Sequence, residues 1–372
     1  MIPQVPPVRY FLNPRAGPAL PYGPDLSAIL NADAHERAFR EISSWPGYAP
    51  TPLRGLGGLA RRLGVQSLWY KDESTRLGLG SFKALGGIYG VCRAIQEGVT
   101  RSTVTCASVG NHGRAVARGA AMFGCRAVIF LPARTPPGRV EAIRNLGATV
   151  VPVDGTYDDA VVQAAQEAKE HGWTVVSDTA YPGYEDIPRH IMQGYTVMVR
   201  EALAQFPAGT MPTHVFLQAG VGGLAAAVTA HLWETLGRDR PRVVVVEPHE
   251  ADCLLESALA MGPAPSRGSM STTMECLACR NPSTLAWIVL KEGADAFLTV
   301  PDQAAEDTVA ILGHGMGGDP PIRTQPSGGA GLTGLMAAAH QPALVDALDL
   351  GNESRILVFG SEGPPSQEKE SP

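Results

Sequence analysis

The stretch Lys71–Gly87, K-D-E-S-T-R-L-G-L-G-S-F-K-A-L-G-G, decides the fold. An apolar run at 67–70 predicts a strand that enters it, and the apolar run after Lys83 predicts a buried helix. Lys83 is therefore expected between apolar neighbours, where burial lowers the pKa of an ammonium group and leaves part of it as free amine. A free amine condenses with aldehydes. The alternative is a lysine that extends its amine to solvent from a helix start.

The chain has 372 residues, 44% of them apolar, and a formal net charge of −6. This length exceeds what one hydrophobic core usually covers, so two domains or one large α/β unit are expected. The negative net charge does not indicate the basic surface that binds nucleic acid. No apolar run reaches the roughly 18 residues that span a bilayer, and the proline-rich start lacks the apolar core of a signal peptide. These features predict a cytoplasmic protein with reduced thiols that binds neither nucleic acid nor membrane.

The positions of the cysteines and lysines limit which residues could bind a metal or react with an aldehyde. Cys276 and Cys279 have C-x-x-C spacing, but neither a second pair nor a nearby histidine completes a zinc set, so no metal site is predicted. These two residues are expected to pack or to form a local disulfide, and the state of Cys253 stays open as well. The sequence contains five lysines, and of these Lys83 lies in an apolar helical run. It is therefore the candidate for a Schiff base.

Strand and helix patterns alternate from Thr103 onward. This alternation predicts a mostly parallel sheet with helices on both faces, which is an α/β fold. The predicted strands lie at 103–108, 127–131, 149–153, 174–177, 214–217, 242–247, 296–300 and 356–359.

Glycine-rich turns at 110–113, 220–223 and 328–331 each open a predicted helix. A helix N-terminus presents unpaired backbone N–H groups to an anion, and glycines let that anion approach closely. The turn G-V-G-G-L, Gly220–Leu224, is the best candidate for a phosphate cradle. It matches neither the dinucleotide fingerprint nor a Walker loop. A plain tight turn is the alternative for each of these segments.

Asp178 is the candidate carboxylate of the site. It follows a predicted buried strand, where an ionised carboxylate needs a partner. A protonated second amine on a substrate would be such a partner. An N-cap on the following turn is the alternative.

The motifs S-F-K around Lys83, S-x-G-N-H-G-R at 108–114 and G-V-G-G-L at 220–224 occur in this order. In these motifs the chain resembles the pyridoxal-phosphate (PLP) enzymes of the tryptophan synthase β type, fold type II, and among them the diaminopropionate ammonia-lyases. The resemblance spans almost the whole chain. Its further stretches are F-L-N-P-R-A (11–16), S-D-T-A-Y-P-G-Y-E-D-I-P-R-H-I-M-Q-G-Y (177–195), L-A-C-R-N-P-S-T-L-A-W (277–287), G-G-D-P-P-I (317–322) and G-S-E-G (360–363).

This resemblance implies two domains, each an open, mostly parallel twisted sheet flanked by helices. Residues 1–87 with 173–372 would form a large PLP-binding domain, and 88–172 a small mobile α/β domain. Residues 364–372 are expected to be a disordered tail.

The resemblance also assigns roles to matching positions. Lys83 would carry the aldimine, Asn111 would bond the ring hydroxyl, Ser361 would face the pyridine nitrogen, and Asp178 would act as acid or base. The cofactor-binding positions are Lys83, Asn111, Gly220, Val221, Gly222, Gly223, Leu224 and Ser361. The substrate-binding positions are Ser108, Val109, Gly110, His112 and Asp178.

One position departs from the pattern, because the lyases that accept both enantiomers carry an aspartate where this chain has Val109. A valine cannot move a proton, so loss of D-isomer turnover is expected, with Lys83 or Asp178 serving the L-isomer. The implied reaction is α,β-elimination of ammonia from 2,3-diaminopropionate, or from a related β-substituted L-amino acid, to pyruvate via aminoacrylate. Family members are typically homodimers. A β-replacement synthase and a PLP-binding protein without turnover remain as alternatives.

Overall fold

The computed structural model describes residues 6–17, 19–99, 102–108 and 110–364. Their strands are β1 (Tyr10–Leu12), β2 (Leu53–Gly55), β3 (Ser67–Asp72), β4 (Thr103–Ala107), β5 (Arg126–Pro132), β6 (Thr149–Val153), β7 (Thr174–Val175), β8 (His214–Gln218), β9 (Arg242–Pro248), β10 (Ala296–Val300) and β11 (Arg355–Gly360).

The helices alternate with these strands along much of the chain, as the sequence pattern predicts. They are α1 (Pro24–Ser27), α2 (Ala32–Ser43), α3 (Gly57–Leu63), α4 (Lys83–Gln96), α5 (Asn111–Phe123), α6 (Pro137–Arg144), α7 (Tyr157–His171), α8 (Asp186–Gln205), α9 (Gly223–Leu236), α10 (Cys253–Ala260), α11 (Thr284–Gly293), α12 (Asp302–His314), α13 (Pro326–Ala339) and α14 (Pro342–Leu348).

Two sheets organise the fold. The larger has seven strands in the order β1-β10-β9-β8-β11-β3-β2, and the smaller has four in the order β6-β5-β4-β7. Pairing is parallel except at the two edges of the larger sheet, where β1 and β2 run antiparallel to their neighbours. The predicted α/β fold with mostly parallel sheets is confirmed. The domain limits at 87, 172 and 173 remain a prediction, and residues 365–372 of the expected tail lie outside the described residues.

Helix α4, which begins at Lys83, packs tightly against α8. A Cβ atom added to Gly86 would lie 2.3 Å from the Tyr195 ring, and one added to Gly194 would lie 2.7 Å from the Leu85 carbonyl oxygen. Larger residues at these two positions would force the helices apart. The glycines therefore bring the start of α4 close to the part of α8 that carries Tyr195.

A buried ion cluster ties β3 and the turn after it to α8. The Glu201 carboxylate accepts hydrogen bonds from Lys71 Nζ at 2.8 Å and from Arg76 Nη1 and Nη2 at 2.8 and 2.7 Å. Arg76 also bonds Glu73, whose carboxylate accepts from the Thr51 hydroxyl at 2.6 Å. Because these charges are almost wholly withdrawn from water, each depends on the others for compensation.

Helix α9 is apolar around its circumference because α8 and α11 cover it on both sides. Its buried His231 packs edge-to-face on His35 of α2, with ring centroids 4.6 Å apart. Burial lowers the pKa of His231 to about 3, so the ring is neutral at neutral pH. Across the described ranges, no helix combines the length and the apolar run needed to cross a bilayer.

Candidate active site

The start of α4 lies against the end of strand β11. Ser81 forms an antiparallel bridge with Glu362, and the Phe82 amide donates to the Ser361 carbonyl oxygen at 3.0 Å. These contacts place Lys83, the first residue of α4, beside the G-S-E-G motif, although some 280 residues separate them in sequence. The site therefore forms at the carboxyl end of the parallel strands, where ligands of α/β sheets usually bind.

The Lys83 ammonium pairs with the Asp178 carboxylate, and the two side chains are 21% and 19% exposed. The rings of Phe82 and Tyr195 flank the Lys83 nitrogen, with centroids at 5.2 and 5.8 Å. The apolar neighbours expected for this lysine are thus confirmed, and the alternative of an amine extended into solvent is not what the structure shows.

The sequence predicts a lowered pKa for Lys83, and this expectation is wrong, because the pKa is raised. Burial alone would lower the pKa of Lys83, but the Asp178 carboxylate outweighs burial and raises it. In the same way, burial would raise the pKa of Asp178, but the Lys83 ammonium holds it well below its usual range. The pair is charged at neutral pH, and its separation is what would free the amine.

Asp178 lies in a loop that several hydrogen bonds fix. The Tyr184 hydroxyl accepts from the Ser177 amide at 2.8 Å and donates to the Val175 carbonyl oxygen at 2.9 Å. The next helix begins only at Asp186, so Asp178 does not cap it. The N-cap alternative is therefore wrong, because the carboxylate faces Lys83 and not a helix start.

The turn at 220–223 follows β8 and opens α9. Gly222 has φ of +96°, which favours glycine, and a Cβ there would lie 3.0 Å from the Ala286 methyl group. A Cβ at Gly220 would lie 2.8 Å from Cys279 Sγ. Glycine is thus needed for the backbone path, and the first-turn N–H groups of α9 are those that a helix leaves without intrahelical acceptors.

Gly223 keeps the open side of this turn clear. A Cβ at Gly223 would lie 3.8 Å from the Tyr195 ring and 4.0 Å from the Asp178 carbonyl oxygen, so this side of the turn faces the residues that surround Lys83. An anionic group bound to these N–H groups would lie on the side that carries Lys83. The turn therefore fits the phosphate of PLP, and Leu224 follows it as a buried residue of α9.

Ser361 follows strand β11 and receives a hydrogen bond. Gln218 Nε2 donates to Ser361 Oγ at 2.9 Å and to the Phe359 carbonyl oxygen at 2.8 Å. The Ser361 hydroxyl is thus an acceptor toward Gln218, and its own proton can be donated. A neutral pyridine nitrogen, which has a lone pair and no proton, fits that donor.

The loop before α5 brings two predicted substrate positions together. Ser108 Oγ accepts from the amides of Gly110 and Gly113 at 3.3 and 3.0 Å. This leaves the Ser108 hydroxyl proton available to a substrate carboxylate. Val109 lies outside the described residues.

His112 and Asn111 occupy the first turn of α5. His112 Nε2 contacts the Val176 carbonyl oxygen at 2.8 Å, and burial lowers the pKa of His112, so a neutral ring donates this bond. His112 Nδ1 is buried and has no partner among the described residues. The Asn111 amide group donates to the Glu362 carboxylate. Both side chains therefore lie at the edge of the site that Lys83 and Ser361 define.

The third glycine turn, at 328–331, has a packing role. A Cβ at Gly328 would lie 2.3 Å from Thr324 Oγ1 and 2.8 Å from the Glu362 carbonyl oxygen. Helix α13 thus starts directly beneath the end of β11. The start of α13 therefore packs against the backbone of the G-S-E-G motif.

The three cysteines whose state was open surround the glycine turn as free thiols. Cys253 Sγ lies 3.5 Å from the Gly220 carbonyl oxygen, and Cys276 Sγ lies 3.4 Å from the Glu362 carboxylate. Burial raises the pKa of Cys279 to about 11. The local disulfide expected as one alternative for Cys276 and Cys279 is not present.

Three residues of the site were missed by the sequence reasoning. Ser283 joins two parts of the site, since its Oγ accepts from the Ala180 amide at 3.0 Å and its amide donates to the Val221 carbonyl oxygen at 2.9 Å. Tyr195 and Glu362 were quoted within motifs but given no role. Each of the three is a polar residue inside a motif quoted above, and this was the signal that could have marked it as part of the site.

Comparison with known proteins agrees with this geometry. Residues 44–361 match the profile of the family described as pyridoxal-phosphate dependent enzymes. Diaminopropionate ammonia-lyase of Escherichia coli (strain K12) is 40% identical over 342 residues, which is 85% of each chain. The corresponding lyase of Salmonella typhimurium is 35% identical over 368 residues, 91% of each chain.

A solved structure extends the likeness to three dimensions. It is the crystal structure of diaminopropionate ammonia-lyase from Escherichia coli in complex with an aminoacrylate–PLP azomethine reaction intermediate. The two chains superpose with a TM-score of 0.88 at 34% identity, over 98% of this chain and 95% of the other. The chain belongs to the family of pyridoxal-phosphate dependent enzymes, in which it is similar along most of its length to the diaminopropionate ammonia-lyases.

Proposed function

We propose that this enzyme catalyses α,β-elimination of ammonia from L-2,3-diaminopropionate, giving pyruvate and ammonia. The observation that carries the proposal is the Lys83–Asp178 pair, which places an amine and a carboxylate together beside the glycine turn. The 40% identity to a diaminopropionate ammonia-lyase supports the same substrate. When bound, PLP supplies an electron sink for the negative charge that develops at the substrate α-carbon.

The protein's part begins with holding the cofactor. The N–H groups of the turn from Gly220 to Leu224 bind the phosphate, with the α9 dipole in support. Asn111 bonds the ring hydroxyl. Ser361 would donate a hydrogen bond to the ring nitrogen and leave that nitrogen unprotonated, a role that the hydrogen bond accepted from Gln218 supports. A hydroxyl at Ser361, which does not protonate the ring, would make the cofactor a weaker electron sink and would so favour rapid loss of a β-substituent.

Lys83 and Asp178 divide the remaining work. Lys83, as the free amine, takes the α-proton at Nζ. Asp178 stays ionised, because a neighbouring cation keeps its pKa low, and holds the second ammonium of the substrate in place of Lys83. This ammonium leaves from the β-carbon as ammonia and takes the bonding electrons with it. The released enamine reacts with water to give pyruvate and the second ammonia.

The carboxylate of the substrate is bound at the start of α5. Ser108 donates its hydroxyl proton there, and the amide of Gly110 belongs to the loop that Ser108 folds. His112 lies beside them as a neutral ring. In sequence, Val109 stands where the lyases that accept both enantiomers carry an aspartate, and a valine cannot take a proton, so turnover restricted to the L-isomer is part of the proposal.

We further infer a homodimer in the cytoplasm. Tyr10 and Leu12 of edge strand β1 are 37% and 41% exposed, and Leu259 and Met261 at the end of α10 are 49% and 45% exposed. Strand β1 and α10 are neighbours, so these side chains form an apolar face suited to a second copy. The free state of the cysteines fits a reducing compartment. Sedimentation equilibrium and cell fractionation test these two inferences.

The proposal is tested by supplying the PLP-loaded enzyme with L-2,3-diaminopropionate and measuring pyruvate and ammonia. One pyruvate and two ammonia molecules are expected per substrate consumed, and Lys83→Ala should abolish both. Reduction of the loaded enzyme with borohydride should attach a pyridoxyl group to Lys83. An absence of pyruvate, or a new amino acid formed when a thiol is added, would refute elimination and favour β-replacement.

A further inference from the structure

Glu362 is a buried carboxyl group with no role in the proposed reaction. It follows Ser361 at the end of β11, and 3% of it is exposed. Its backbone is held by the bridge to Ser81, two residues before Lys83. A carboxyl group in such a place needs partners that satisfy its oxygens.

Three donors converge on one oxygen of this carboxyl group. Glu362 Oε2 accepts from Asn111 Nδ2, from Cys276 Sγ at 3.4 Å and from Gln325 Nε2 at 3.5 Å. Burial raises the pKa of Glu362. Since every one of these contacts is a donor, Oε2 serves as an acceptor whether or not the other oxygen carries a proton.

This arrangement fixes the direction of the Asn111 amide. Its nitrogen faces Glu362, and its oxygen faces Arg114 Nη1 at 3.5 Å, which is a donor. Turning the amide over would place two acceptors together on one side and two donors on the other. One N–H of Asn111 is used by Glu362, and the second has no acceptor among the described residues, so it can serve a ligand.

We propose that Glu362 is a positioning residue that makes Asn111 present an N–H donor to the ring oxygen of PLP. An N–H donor favours a ring oxygen that has lost its proton, whereas an amide oxygen would favour one that keeps it. Glu362 thus acts through Asn111 and sets the charge state of the cofactor ring without touching the substrate. The inference rests on the role given to Asn111 in the proposed function.

The test compares two probes that differ by the ring hydroxyl alone. PLP and 3-deoxypyridoxal 5′-phosphate are titrated into the full-length protein after its cofactor has been removed, and binding is followed by tryptophan fluorescence. Glu362→Ala should weaken binding of PLP by about fivefold, the usual effect of one misplaced hydrogen bond, and leave binding of the deoxy analogue unchanged. Glu362→Gln keeps an acceptor oxygen and should bind both probes like the parent.

Two controls make the result specific. Glu353→Ala removes an exposed carboxylate that precedes β11 and should change neither affinity. Asn111→Ala should lose the preference for the hydroxyl-bearing probe. Equal weakening of both probes by Glu362→Ala, no weakening of either, or equal losses in the alanine and glutamine variants would overturn the proposal. If Asn111→Ala keeps the preference, the role of Asn111 fails, whereas pyruvate formation tests the reaction separately.

Discussion

Replacing Asp178 with asparagine removes the charge that the proposed function assigns to the second amine of the substrate. The change keeps the size of the side chain, so the loop held by Tyr184 and Ser283 should stay in place. A substrate with a second ammonium loses its partner. A substrate without one, such as β-chloro-L-alanine, loses nothing at that position.

The size of the effect follows from the environment of the pair. At about 4 Å and an effective dielectric constant of about 20, two unit charges attract by about 4 kcal/mol. The partners are about one-fifth exposed, so solvent screens part of this attraction. A charged hydrogen bond of about 2 kcal/mol is the reasonable value, which corresponds to a loss of about 30-fold in kcat/KM.

The assay couples pyruvate to lactate dehydrogenase and compares the two substrates in the parent and in Asp178→Asn. We expect kcat/KM to fall about 30-fold for L-2,3-diaminopropionate and by less than about threefold for β-chloro-L-alanine. The absorbance of bound PLP measures how much of the enzyme carries the cofactor. This fraction should not fall in Asp178→Asn, because removal of the carboxylate lowers the pKa of Lys83 and frees its amine. Equal losses for the two substrates would refute the pairing role and show that Asp178 moves the α-proton instead.

Three further predictions concern other parts of the chain. Val109→Asp should give turnover of D-2,3-diaminopropionate where the parent has none, measured as pyruvate; good L-isomer activity without any gain would contradict the stereochemical argument. Glu201→Gln leaves Lys71 as a buried charge without its carboxylate partner, while Arg76 keeps Glu73, and should lower the free energy of unfolding in urea by about 3 kcal/mol, against less than about 0.5 for an exposed control such as Glu275→Gln. His231 has a folded pKa of about 3, below its unfolded value of about 6.5, so its stabilising effect is complete above pH about 6.5 and is lost as pH falls toward 3. When the pH is lowered from 7.5 to 5.5, the free energy of unfolding of His231→Phe should therefore fall by about 1 kcal/mol less than that of the parent. Equal falls in the two proteins would contradict this.

The sequence predicted the strands of the parallel sheets well because each is a short apolar run between turn residues. Strands β6 and β10 have the predicted bounds, Thr149–Val153 and Ala296–Val300. The segment 110–113 was predicted as a turn before the helix, because G-N-H-G is typical of a loop, but α5 begins at Asn111. Gly113 belongs to the helix, and its glycine allows close packing, since a Cβ there would lie 2.8 Å from the Ser108 carbonyl oxygen.

What the sequence could not supply are contacts between distant segments. The pKa of Lys83 was predicted from its neighbours in the chain, but Asp178, 95 positions away, reverses its direction. Ser283 and Glu362 lie in quoted motifs, but their roles come from the contacts that the fold makes with the glycine turn and with Asn111. Charge pairs of this kind are set by tertiary structure, so periodicity does not reveal them.

The electrostatic potential of the helix N-termini around the site explains why the site contains the Asp178 carboxylate. Helices α4, α5 and α9 all begin at this place, and their N-termini favour anions such as a phosphate and a substrate carboxylate. In such a field a substrate ammonium needs a negative group of its own. In the proposed function Asp178 supplies it, and the burial of that carboxylate means that it needs a cation beside it. The proposed function therefore favours a molecule that has a carboxylate and a second amine together, and in the chain without cofactor Lys83 provides the cation.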